Sequence, residues 1–219
     1  MSIQNLLDQL LESGATSYER AKQSGDLEKY AKGAAAGGAL ALLLGSRGGR
    51  SLGGKALKIG TVAALGSLAW KAYNEWQAKQ AAPPAPGAPA APARFEQLPA
   101  PQLEQHSTAM LMAMIAAAKA DGHMDERERG LVEAELHRLD GDPAVRGWVD
   151  AELRRPVEPA DVAARATSPE MAAEIYLASV LVVDQTTTME RAYLDELARQ
   201  LKLAPELKAD LEARAVAAA

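Results

Sequence analysis

Between Ala81 and Arg94 the chain reads AAPPAPGAPAAPAR, with proline at 83, 84, 86, 89 and 92. Each proline fixes φ and removes an amide donor, so neither helix nor sheet can run through this stretch, and extended polyproline II is favoured. At about 3.1 Å per residue its length reaches roughly 40 Å, enough to hold a folded body clear of whatever precedes it. The sequence therefore divides into a short amphipathic helix (1–25), a Gly/Ala-rich basic region (26–80), an Ala/Pro-rich linker (81–101) and a helical domain (102–219).

The two sides of the linker differ in charge. From Asp26 to Gln80 there are 8 Lys/Arg against 3 Asp/Glu, and from Pro101 to Ala219 there are 13 against 22. A basic, Gly-rich part suits an anionic surface such as phospholipid, whereas the acidic part stays in water. The single basic cluster has no interleaved aromatic residue, which argues against nucleic acid. There is no cysteine, which excludes disulfides, thiol nucleophiles and Cys-based metal sites.

In Met1 to Glu12, Ile3, Leu6, Leu7, Leu10 and Leu11 repeat at helical spacing and predict an amphipathic helix beginning near Ser2. Its stripe suits either a membrane surface or a partner helix. Two uncharged runs follow, Gly33 to Gly45 and Ile59 to Trp70. Each is shorter than the roughly 20 residues a helical span needs. Gly33, Gly37, Ala41 and Gly45, and again Ala56, Gly60 and Ala64, recur every four residues as a glycine-zipper face for close helix approach and self-association. Lys29, Lys32, Arg47, Arg50, Lys55 and Lys58 flank the runs, and Trp70, Tyr73 and Trp76 follow beside Lys71, a composition typical of a membrane interface. Two geometries are open: a short helical hairpin entering from one side, or one tilted span such as Lys55 to Tyr73.

Beyond Gln102 the apolar spacing is helical throughout, with no alternating strand or βαβ rhythm. Helices are predicted at 104–120, 125–139, 143–154, 159–166, 169–184, 188–202 and 205–217. Asp142-Pro143 and Ser168-Pro169 each place an N-cap before a proline at the first helical position. TAMLMAMIAAAKADGHMDERERGLVEAEL (108–136) and AAEIYLASVLVVDQTTTMERAYLDELARQL (172–201) share a plan: an apolar helix ending at Asp121 or Asp184, a polar turn, then a helix opened by a capping box, Asp125 with Glu128 and Thr187 with Glu190. This predicts an internal pseudo-twofold duplication.

KADGHMDERE (119–128), paired with VVDQTTTMERAYLDELA, resembles the TerB-like domain named for tellurite-resistance proteins. MSIQNLLDQLL, the GAAAGGALALLLGSRGGRSLGGKALKIG block and AYNEWQ resemble the YebE-like family of bacterial inner-membrane proteins. The resemblance implies an all-α, TerB-like bundle of about seven helices carried by a membrane-associated Gly-rich region, located at the inner membrane, linked to envelope and chemical stress, and without an established reaction. Expected partners are membrane lipid, a second copy through the N-terminal helices, and a further protein.

The acidic turns have two readings. Asp121, Asp125, Glu128, Asp184 and Glu190 present oxygen ligands suited to a hard divalent cation, although their spacing is not that of an EF-hand. Alternatively Asp125 and Glu128 simply cap a helix. The superfamily resemblance implies the metal reading, and would make the protein a divalent-metal sensor. No nucleophile–base pair, HExxH site, P-loop or dinucleotide fingerprint is present, so a non-enzymatic role with no certain cofactor is expected.

Overall fold

A computed structural model describes residues 2–12, 61–80, 95–120, 142–183 and 187–218, which are helical with no strand among them. In chain order, and numbered over these residues, the helices are α1 (3–12), α2 (Val62–Gln80), a 3-10 turn (Phe95–Gln97), α3 (Ala100–Ala118), α4 (Pro143–Arg154), α5 (Pro159–Ala163), α6 (Pro169–Val182), α7 (Thr188–Gln200) and α8 (Pro205–Ala218). The expected helix 125–139 and the turns at 121–128 and 184–186 lie outside the described residues, and with them most of what the duplication rests on.

The centre of the fold is α6. Every residue from Met171 to Val182 is buried, and α2, α3, α5, α7 and α8 pack around it, with α3 making the most extensive contact. A helix apolar on all sides has no face to give to water and must be enclosed. Its start follows the sequence signal: Ser168 accepts from the Met171 amide and Pro169 occupies the first turn. The other expected caps also form. Asp142 accepts from the Ala144 amide, and Thr187 and Glu190 close a complete capping box on α7. At the far end of α4, Lys119 Nζ donates to the carbonyls of Glu152 and Arg155, so a cation occupies the negative end of that helix.

The N-terminal elements do not stand apart from this bundle, contrary to the separation expected across the linker. Leu6, Leu7, Leu10 and Leu11 are at most 1% exposed, and join the same core as Met110, Ile175 and Leu211. Of the two partners open to the amphipathic stripe, the chain's own core takes it. Glu104 of α3 accepts from the amides of Ile3 and Gln4, at 2.6 and 3.3 Å, and Ser2 Oγ accepts from Asn5, so α1 starts with its free amides satisfied by another helix. Asp8 of α1 in turn accepts from the first amide of α2, Val62, at 2.8 Å.

α2 packs on α6 and α8 through Val62, Leu65, Ala69, Ala72 and Tyr73, and Arg214 of α8 pairs with Glu75. A tilted span through Lys55 to Tyr73 is therefore not what the structure shows: the part from Val62 onward faces protein. No helix among the described residues is long and apolar enough to cross a membrane. The protein contact explains the glycine of α2. Gly66 lies so close to Phe95, the chain's one phenylalanine, that a Cβ there would sit 2.5 Å from Cγ of the ring.

Gly66→Ala therefore separates the two uses of a helical glycine. On an open or lipid-facing surface the change would add up to about 1 kcal/mol of helix propensity. Here Phe95 is 1% exposed and has little room to yield, so a net loss of about 1–3 kcal/mol is expected in urea melts.

Candidate functional site

The sequence-predicted metal set is only partly within view. Asp121, Asp125, Glu128 and Asp184 lie outside the described residues. Glu190 is described, 3% exposed, and uses Oε2 to accept from the Thr187 amide at 3.2 Å. That carboxylate is committed to its helix cap, and the described residues hold no group of three or more His, Asp or Glu side chains able to bind a metal.

Of the membrane and self-association set, Gly33, Gly37, Ala41, Gly45, Ala56 and Gly60 also lie outside the described residues. Ala64 is exposed on α2. Tyr73 is 7% exposed and its ring lies 5.8 Å from that of Trp76, both packed on the bundle, while Trp70 is half-buried. Burial holds the Tyr73 phenol above its ordinary pKa, and the charge of Glu170 adds to the effect. Tyr73 and Trp76 thus pack on the protein, with Trp70 and Trp76 only partly buried.

The most distinctive polar arrangement was not among the sequence candidates. His106 of α3 and Glu174 of α6 face each other with Nδ1 and Oε2 2.5 Å apart, and the residues are 9% and 2% exposed. Their positions follow from the two best-packed helices meeting along their length. Phe95 meets the His106 ring edge-on, with centroids 6.0 Å apart, and so links the pair to Gly66 on α2. A cavity of about 280 Å³ opens beside them, lined by Leu98, Gln102, Gln105, Thr167, Ser168 and Glu170 as well as the pair.

Burial pushes the Glu174 carboxyl above the usual glutamate range; the hydrogen bond and charge of His106 oppose this, and the charge of Glu170 adds to it. A legible signal existed: in MAAEIYLASVLVV (171–183), Glu174 is a lone acid inside an apolar run, and a buried acid requires a partner.

A family profile described as "Protein of unknown function (DUF533)" matches residues 29–215. The chain is also similar to a protein of Yersinia enterocolitica described as "Uncharacterized protein in ampR 5'region", with 29% identity over 119 residues covering 54% of this chain and 85% of that protein. No solved structure matches it.

The pair makes a pH prediction. Because the folded-state pKa of Glu174 is raised, the folded protein retains this proton to higher pH than the unfolded chain. Its contribution to stability therefore declines as pH rises from the ordinary glutamate value through the raised one. Glu174→Gln should flatten that part of the profile in urea melts recorded against pH. His106→Ala leaves the acid buried without its partner and should cost about 1–3 kcal/mol, whereas an apolar pair of similar volume at both positions should recover most of the loss.

Proposed function

We infer that this chain, which belongs to the DUF533 family of proteins of unknown function, is a non-enzymatic membrane-associated protein that presents a TerB-like helical bundle for protein interaction at the bacterial inner membrane. The observation that carries this reading is how the bundle holds both ends of the Gly-rich basic segment. α1 is docked by its leucines and by Glu104, and Asp8 on α1 caps Val62 at the start of α2. A segment that leaves and rejoins one folded body returns to the side of a bilayer from which it came. This favours entry and return on one side over a single crossing, without the second run as a hairpin arm, and keeps Lys29, Lys32, Arg47, Arg50, Lys55 and Lys58 on the same side as the bundle, the cytoplasmic side under the positive-inside tendency.

The charge-free run Gly33 to Gly45 is the part of the sequence that supports insertion, since most of Ile59 to Trp70 belongs to α2. As a helix its 13 residues would cover about 20 Å, less than the ~30 Å hydrocarbon core, which fits shallow insertion helped by basic flanks or self-association through Gly33, Gly37, Ala41 and Gly45. The resemblance to YebE-like and TerB-like proteins supports the same division of labour, with envelope stress as its setting.

The test is flotation of the full chain on anionic and neutral lipid vesicles, beside a variant in which residues 29–58 are replaced by a Gly/Ser linker of equal length. The expected result is that the full chain floats with anionic vesicles while the variant melts at a similar temperature and stays in the supernatant. Each basic residue near an anionic leaflet contributes about 1 kcal/mol, so Arg47→Gln, Arg50→Gln and Lys55→Gln combined should weaken partitioning roughly a hundredfold. A full chain that stays in the supernatant with both vesicle types overturns the proposal.

A further inference from the structure

We propose that the cavity between α3 and the start of α6 is a binding site for a small organic cation carrying N–H donors, with the carboxylates of Glu174 and Glu170 as its counter-charges. The argument begins with the residues that line it. Leu98, Gln102, Gln105, His106, Thr167, Ser168, Glu170 and Glu174 include two acids and no Lys or Arg. Glu174 spends Oε2 on His106 and makes no hydrogen bond through Oε1 among the described residues. Glu174 is 2% exposed and lines the cavity, where Oε1 is left to accept from an occupant. Glu170, one turn earlier on the same helix, forms no ion pair among the described residues. The two acids therefore project along one face, i and i+4, where like charges repel until a cation is placed between them.

The remaining lining fits the same ligand. Gln102 and Gln105 offer amide carbonyls and Thr167 a hydroxyl, all acceptors for N–H groups. Leu98 supplies an apolar wall suited to a short hydrocarbon stem. At about 30 Å³ per water, the space of about 280 Å³ holds roughly nine molecules, which matches an alkylguanidinium or diamine of similar heavy-atom number. The proposal is independent of membrane attachment.

Butylguanidinium and its uncharged isostere butylurea are the probes, titrated into the full chain by calorimetry and by amide chemical shifts. The expected result is saturable binding of butylguanidinium, at least tenfold weaker binding of butylurea, and shifts concentrated at Gln102, Gln105 and Thr167. Glu170→Gln, at a partly exposed position where folding is least at risk, should weaken butylguanidinium at least tenfold, and Glu174→Gln should do so as well. Equal binding of the two probes, no saturable binding up to about 10 mM, or an unchanged affinity in Glu170→Gln would each overturn it.

Discussion

The burial of α6 is the constraint on which the other helices depend. A helix with Ile175, Leu177, Leu181 and Val182 all enclosed has no exposed face to orient it. Its orientation is set instead by the few polar groups it carries. Glu174 meets His106 on α3, and Tyr176 donates to Glu212 on α8 at 2.7 Å. Two residues along a helix turn it by roughly 200°, so these two bonds point to opposite sides and fix where α3 and α8 lie. Ser179 donates its hydroxyl to the Ile175 carbonyl within α6 itself. Apolar contact supplies the greater share of the stabilisation, at about 1.5–3 kcal/mol for each large side chain fully buried, but it is indifferent to rotation. The polar pairs select one arrangement among those the apolar surface would accept.

The same logic places α1 and α2. Four leucines give α1 a reason to bury a face, but several faces of the bundle are apolar. The successive caps, Glu104 of α3 to the start of α1 and Asp8 of α1 to the start of α2, decide which one it uses and in what direction. Charged acceptors at helix N-termini are favoured by both the free amides and the dipole, so each cap contributes in the range of about 0.5–2 kcal/mol while also specifying a partner. Phe95 completes the lock, because its ring fills the space that Gly66 leaves and meets His106 edge-on.

Helix starts were the most legible part of the sequence, because their causes are local. Asp142, Ser168 and Thr187 cap where their neighbours predict, and α4 runs from Pro143 to Arg154 as the pattern indicates. The all-helical class was legible for a similar reason, in the 3.6-residue spacing. What could not be read was the partner of each apolar face. A stripe of Gly and Ala with Tyr and Trp beside it suits a lipid interface and a tight helix crossing equally well, and nothing within α2 distinguishes them; Phe95, 29 positions beyond Gly66, does. His106 and Glu174 escaped notice because their relation spans 68 positions, although the isolated acid in an apolar run was itself a signal.

Joining the N-terminal helices to the bundle alters what the Pro-rich stretch can do. A linker between independent bodies sets their separation, and its 14 residues would matter for reach. Here α2 and Phe95, on either side of it, already touch across Gly66, so the stretch between Gln80 and Phe95 closes a loop whose ends are fixed by packing. Loop closure depends only weakly on length, at about 0.6 kcal/mol per doubling, and the bundle is correspondingly insensitive to how long this segment is. Its composition suits that closure, because prolines disfavour continuing α2, and a helix continued far past Gln80 would carry Phe95 away from the glycine it covers.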